Sequence, residues 1–386
     1  MRILERLGSD ALAWRTRLEH AIDETSPLPR ALQLDAQKQF DEQLYERLGQ
    51  LGVFGLGTPS EVGGVGGNTV DQAVALETLG RHATSMAVVC VVSFLNTRML
   101  RQYGTQAQRD RYLRDLLTGK QQAAFCLTES GGGTDVLSHT QTSAVRRTGG
   151  GWLLNGSKTW ISGATSSDVM LVVARTDAHR SRGLTVFLVP SDTVGVSATR
   201  IETMLLNGYP TGTVNFENVE LPETAILGAA NEGLQQLMSA LNGERINAAA
   251  VVNGVARGAL DAALQHVRER EAFGKPLGQF QAVQHRLAEV AVQTELAWLA
   301  VLEAAQRDAA GESTDIVSSL AKWSSSKAAL RATDVGMEVM AASGVLQQAV
   351  MQRYFRDARL HVFAPINNDM VLNLLGERWL RLPRSF

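Results

Sequence analysis

The chain has 386 residues, long enough for two or three domains with buried cores. Apolar residues make up 45% and charged residues 20%, an ordinary globular balance, and the formal net charge of −2 gives no electrostatic argument for nucleic acid or an anionic membrane. Only two cysteines, Cys90 and Cys126, are present, which excludes a disulfide framework and makes a reducing, cytoplasmic location the expectation. The opening stretch, MRILERLGSDALAWRTRLEH, has no signal-peptide core. The run Met86 to Leu95 is too short to span a bilayer and reads as a buried helix.

The first third reads as helices. Leu4, Leu7, Leu12 and Trp14 share an interrupted amphipathic pattern, which Pro27 and Pro29 break. Helical character resumes from Asp35 to Leu51, and Pro59 to Gly67 is a loop by its glycines. Thr69 to Leu79 and Thr84 to Tyr103 are further helices, with Thr84 expected as an N-cap.

The period changes in the middle third. A short apolar run, Ala123 to Leu127, ends in Thr128-Glu129, and Ser130-Gly131-Gly132-Gly133-Thr134-Asp135 bends the backbone. Trp152 to Ser162 reads as a hairpin turning at Asn155-Gly156. Val169 to Ala174 and Leu184 to Val189 are β-branched runs, and Thr213 to Val219 alternates as a half-buried strand does. The last third returns to helices: Leu260, Ala263, Leu264 and Val267 fall at i, i+3, i+4 and i+7, Leu287, Val290 and Ala291 repeat the face, and Asp315 to Met340 is one long helical run. Helices, then strands, then helices predict an α+β chain with segregated layers. The expected domains are residues 1–122 (helical), 123–229 (β) and 230–386 (helical).

No zinc-binding pattern, GxSxG, Walker loop or GxGxxG after a strand is present. The bend at 130–135 combines glycines with a hydroxyl residue, which offers N–H donors to a phosphate. On spacing alone, a surface loop joining two strands is the commoner reading of such a stretch.

The segments CLTESGGGTD (126–135) and NGSKTWISG (155–163) closely resemble the flavin-binding segment of the acyl-CoA dehydrogenases. Arg268 to Leu277 with Phe280 to Gln284, and Arg356-Asp357-Ala358-Arg359, match further motifs of that family in its order and spacing. The resemblance implies an N-terminal helical domain, a central β-barrel-like domain and a C-terminal four-helix bundle. It also implies FAD as cofactor and no metal.

Phe125, Leu127, Thr128, Trp160 and Ser162 are expected along the isoalloxazine, and Gly133 and Thr134 near the pyrophosphate. Arg270, Phe273, Phe280 and Gln281 match residues that reach a neighbouring subunit's flavin, so a homodimer or homotetramer is implied. Glu338 and Asn367 complete the implied cofactor contacts, and Thr134, Leu241 and Arg245 the implied substrate contacts. The family's Gln-x-x-Gly-Gly stretch stands here as Glu338-Val339-Met340-Ala341-Ala342, with two β-carbons where backbone touches the cofactor.

Most of the family places its catalytic glutamate in Tyr-Glu-Gly-Thr, shortly after Arg-Asp-Ala-Arg. Here that place reads Ala364-Pro365-Ile366-Asn367, and proline is no base. Isovaleryl-type and long-chain members carry the base directly before a helical arginine instead. That position is Glu244, followed by Arg245, so Glu244 is the expected base; Asp369 is the nearest carboxylate downstream of Pro365. The implied reaction is FAD-dependent α,β-dehydrogenation of an acyl thioester, carried by coenzyme A or a carrier protein, with an electron-transfer flavoprotein as acceptor. A flavin monooxygenase or oxidase of the same family and a non-catalytic flavoprotein are the competing readings.

Overall fold

The computed structural model describes residues 8–179 and 182–384; Leu4 and Leu7 of the first amphipathic stretch lie outside them. Six helices come first: α1 (Ser9–Thr25), α2 (Leu28–Gln37), α3 (Glu42–Leu51), α4 (Thr69–His82), α5 (Thr84–Tyr103) and α6 (Gln106–Leu117). The chain breaks at Ser26-Pro27, between α1 and α2, as expected, and the two prolines then start α2. Pro27 occupies the N-cap position of α2 and Pro29 its first turn, where a missing N–H costs nothing. A second break, inside the stretch read as helical from Asp35, falls at Lys38, in the left-handed region at φ 55°, and Asp41 restarts the helix by accepting a hydrogen bond from the Leu44 N–H. Thr84 is the first residue of α5 and not its cap; its hydroxyl bonds back to the Gly80 carbonyl at 3.2 Å.

The middle of the chain forms β1 (Ala123–Cys126), a short helix α7 (Val136–His139), and then β2 (Ser143–Arg146), β3 (Trp152–Ser162), β4 (Val169–Arg175), β5 (Leu184–Pro190), β6 (Val196–Ile201) and β7 (Thr211–Leu221). They make one curled sheet of order β1-β4-β2-β3-β7-β6, with β5 on the other side of β4. The predicted hairpin at Asn155-Gly156 is instead one continuous strand, β3, paired along β7 with a bulge between Leu154 and Gly156. Gly156 sits at φ 142°, and a Cβ there would meet the Thr142 backbone at 2.5 Å. Asn-Gly therefore re-aims the strand and does not reverse it.

Alternation along β4 and β5 explains why they read as unbroken apolar runs. Val169, Leu171, Val173, Leu184, Val186 and Leu188 pack on α5, α6 and the start of the next helix. Met170, Val172, Ala174, Phe187 and Val189 fill the inside of the curled sheet with Trp152, Leu154 and Phe216. Both faces are buried, so no polar alternation is required.

The last third holds α8 (Gly233–Glu269), α9 (Gln281–Ala309), α10 (Asp315–Met340), α11 (Val350–Ala358), α12 (Leu360–Phe363) and α13 (Asn368–Leu374). Val255, Ala259 and Ala263 of α8 meet Leu287 and Val290 of α9, Ala328 and Ala332 of α10, and Met351 and Tyr354 of α11 in one core. The Arg356-Asp357 motif clasps the three layers together. Arg356 makes a short ion pair with Asp35 of α2 and donates to the Met204 carbonyl at 2.6 Å, while buried Asp357 accepts the Leu206 N–H at 2.9 Å. The architecture is thus an N-terminal helical layer, a central curled sheet and a C-terminal helix-rich bundle.

Candidate active site

The loop after β1 is held by a buried ion pair. Lys158 of β3 is fully buried and donates to the Leu127 carbonyl at 2.9 Å and to a Glu129 carboxylate oxygen at 2.7 Å. Glu129 also accepts the Gln141 and Thr142 N–H groups, at 2.7 and 3.0 Å. Burial opposes ionisation of Glu129, but Lys158 and the backbone donors outweigh it and hold the carboxyl below the usual range. Every member is satisfied, so the cluster fixes the loop against the strand.

That clamp sets the surface above it. The Thr159 N–H donates to the Thr128 carbonyl at 2.9 Å, which places Trp160 beside Thr128. Trp160 lies at φ 60° and is 59% exposed, an unusual cost for so large an apolar ring. The hydroxyls of Thr128 and Ser162 have no hydrogen-bond partner among the described residues, and the space around Gly131 and Gly133 is open within 4 Å of where a Cβ would stand. An exposed aromatic face, two hydroxyls without partners and an open glycine loop fit a flavin dinucleotide. Phe125 and Leu127 are half-buried and pack on the cluster that includes Leu95 of α5 and Ala240 of α8.

Leu95 and Ala240 also line a cavity of about 1380 Å³. Phe94 and Arg98 of α5, Gly243, Glu244 and Asn247 of α8, and the loop from Gly57 to Gly63 form further walls. Glu244 is half-buried on this wall and accepts no hydrogen bond from any described residue. Burial pushes its carboxyl up to about 7, against the opposing pull of Arg245. Arg245 turns away from the cavity and donates to the hydroxyls of Ser318 and Ser319 of α10, at 3.2 and 3.1 Å. Leu241, a turn before Arg245, is half-buried, and Thr134 is exposed on the glycine loop.

One turn further along α10, Lys322 donates to the Ile366 carbonyl at 2.5 Å and to the Asn368 side chain at 2.7 Å. Both the Glu244-Arg245 turn and the segment around Pro365 are therefore anchored to adjacent turns of one helix. The segment brings no carboxylate of its own: Pro365 is exposed, and Asp369 is an exposed residue in the first turn of α13. Asn367 caps that helix, its side-chain oxygen accepting the Asp369 N–H at 2.9 Å.

The other expected cofactor residues are not brought to this place. Arg270 follows Glu244 by 26 residues on or just past α8, which at about 1.5 Å per residue is roughly 39 Å along the helix. Phe273 there is 96% exposed at φ 53° and packs edge-on to Phe280, 6.2 Å between centroids, with Lys275 over the Phe280 ring at 4.4 Å. Gln281 is exposed at the start of α9, and Glu338 is an exposed partner of Arg286 at 2.5 Å. Lys158, Glu129, Arg98 and Arg101 are not evident as site residues from the sequence. A signal is present nonetheless: arginines interrupt an otherwise apolar face of α5, and Glu129 and Lys158 lie inside the two flavin-segment motifs.

Comparison with known proteins matches residues 10–120, 124–219 and 231–380 to the N-terminal, middle and C-terminal domains of acyl-CoA dehydrogenases. The acyl-CoA dehydrogenase FadE12 of Mycobacterium tuberculosis is 32% identical over 89% of each chain. The 3-(aryl)acrylate reductase of Clostridium sporogenes is 32% identical over 86% of this chain and 88% of its own. The fold superposes on butyryl-CoA dehydrogenase of Megasphaera elsdenii with a TM-score of 0.94 at 28% identity, covering 97% of this chain and 99% of that one. The chain belongs to the acyl-CoA dehydrogenase family, and its activity is the FAD-dependent dehydrogenation of an acyl thioester.

Proposed function

We propose that Glu244 is the base that removes the α-proton of the thioester, as in the isovaleryl and long-chain type of this family. The observation that carries this is the Glu244 carboxyl itself: half-buried on the cavity wall, without a hydrogen-bond partner among the described residues, and raised by burial to about 7. A carboxylate with that proton affinity is a far better carbon base than an exposed one, and at neutral pH it is still partly ionised. The usual base position offers only Pro365. Bound flavin supplies the two-electron acceptor for the β-hydrogen. Thr134 and Leu241 are the proposed thioester contacts beyond the cavity wall, and Arg245, also expected as a substrate contact, is turned to Ser318 and Ser319 and serves to hold the Glu244 turn. Phe125, Leu127, Thr128, Trp160 and Ser162 hold the ring, and Gly133 and Thr134 the pyrophosphate. Arg270, Phe273, Phe280, Gln281, Glu338 and Asn367 act on a neighbouring subunit's cofactor. Domains of 1–122, 123–229 and 230–386, a homodimer or homotetramer, a cytoplasmic location and an electron-transfer flavoprotein as acceptor belong to the same reading. The acyl carrier is coenzyme A or a carrier protein.

Glu244→Gln keeps the shape and removes the base. Anaerobic stopped-flow reduction by an acyl thioester should slow by at least ~100-fold, the lower range for general-base catalysis, with flavin content retained. Reduction at the wild-type rate would place the base elsewhere, with Asp369 next in line. If neither carboxylate matters, an oxidase or monooxygenase activity replaces dehydrogenation, and oxygen uptake by the reduced protein measures it.

A further inference from the structure

The cavity beside Glu244 is not lined as a plain hydrocarbon chain requires. Past Phe94 and Leu95, the α5 wall carries Arg98 and Arg101. Arg98 is compensated: both of its terminal nitrogens lie 3.4 Å from Asp308, which also accepts the Thr69 hydroxyl. Its guanidinium lies over Gly243, where a Cβ would stand 2.5 Å from Nη1. Gly243 thus makes room for a cation at the residue next to Glu244, which accounts for a glycine in the interior of α8.

Arg101 has no such compensation. It is half-buried and, among the described residues, donates only to neutral oxygens, the Gly57 carbonyl at 3.3 Å and the Thr58 hydroxyl at 3.2 Å. Burial and the neighbouring Arg98 cation both push its pKa down, so the site disfavours the charge it carries. The other acidic residues on the lining stand elsewhere: Glu61 and Asp110 are exposed, Asp110 accepts the Gln106 amide at 2.7 Å, and Glu244 is assigned to catalysis. Arg109 adds a third cation, donating to the Arg101 carbonyl at 3.0 Å. A partly desolvated guanidinium without a counter-charge is costly, and its planar fork suits a carboxylate or phosphate.

We propose that this cavity accepts an anionic group carried by the thioester substrate, gripped by Arg101 and backed by Arg98. The proposal rests on the assignment of the Glu244 cavity as the active site. The anion has two chemical sources, a carboxylate at the far end of the acyl group or a phosphate of the carrier arm.

The test uses the flavin-loaded protein and follows anaerobic flavin reduction. The probes are acyl-CoAs of equal chain length with and without a terminal carboxylate, and the same acyl groups on N-acetylcysteamine, which has no phosphate. If the anion is the distal carboxylate, Arg101→Met raises the half-saturating concentration at least tenfold for the carboxylated thioesters on either carrier, and less than twofold for the uncharged ones. If it is the phosphate, the variant weakens every CoA thioester alike and no N-acetylcysteamine thioester. Either pattern, with recovery in Arg101→Lys, supports the proposal. Half-saturation within twofold of wild type for all four probes, at normal flavin content, overturns it. Should Arg101→Met not fold, the comparison is made between Arg101→Lys and Arg101→Gln. Glu244→Gln separates the two failures. If it abolishes reduction while Arg101 proves silent, only the anion site falls; if it reduces normally, the assignment of the cavity falls.

Discussion

Glu129 and Glu244 are both drawn out of water, with opposite results, and the difference is one of partners. Glu129 has Lys158 and two N–H donors and is held ionised; Glu244 has no hydrogen bond among the described residues and is raised to about 7. The second state has a measurable sign. Because the folded-state pKa of Glu244 lies above its usual value near 4.5, the folded protein binds the proton more tightly than the unfolded chain does. The stability this gives is present below pH 4.5 and is lost as pH rises through about 7. Glu244→Gln should therefore melt higher than wild type at pH 8, with the gap closing towards pH 5, as differential scanning calorimetry across that range would show. Flavin reduction in the wild type should rise with pH through about 7 as Glu244 ionises. For the clamp, Lys158→Met leaves the Glu129 charge buried without its cation. A loss of about 3–5 kcal/mol is expected, with poorer flavin retention, by denaturant unfolding and flavin release. An unchanged midpoint would mean that water replaces the ammonium at no cost.

At the scale of elements, most periods were legible and most boundaries were not. The run Asp315–Met340 was readable to the residue because a long helix repeats its pattern many times. The break at Pro27 was legible, but the helix that begins there was not, because the residue that stops one helix also favours the start of the next. Asn155-Gly156 was misread as a turn because glycine's freedom at positive φ, here 142°, serves a bulge as well as a hairpin, and only pairing with β7 distinguishes them. Of the site, Glu244 was legible by its place before Arg245. Arg98 and Arg101 were not, because their role depends on α8 and the Gly57 loop folding against α5. The junction after α10 shows a boundary under strain. Ala341 adopts φ 48° and ψ −131°, a conformation suited to glycine, at the first of two positions where the family's pattern has glycines. Ala341→Gly should stabilise the protein by about 1 kcal/mol and raise its melting temperature. A lower melting temperature would show that the alanine methyl packs well enough to offset the backbone cost.

For the whole molecule, the question is what completes the far end of α8. The Phe273 side chain there is almost fully in solvent, held at positive φ and braced by the Phe280 ring. Arg270, just before it, is roughly 39 Å along the helix from Glu244, so it stands far from the candidate site of its own chain. The α9 helix beginning beside it carries Val292, Leu296 and Leu299, all exposed and spaced at i, i+4 and i+7. An exposed apolar stripe of that kind marks an interaction surface. Arg270→Ala removes a planar cation suited to a pyrophosphate without touching a core contact, since its side chain is exposed. Flavin occupancy of the purified protein should fall severalfold while far-ultraviolet circular dichroism stays at the wild-type value. Leu296→Lys places a charge in the middle of the α9 stripe and should lower both the mass by light scattering and the flavin occupancy, because the two are linked if each site needs a neighbour. A fully flavinated monomer, in the wild type or in Leu296→Lys, would separate them and return Arg270 and Phe273 to the surface of a self-sufficient chain.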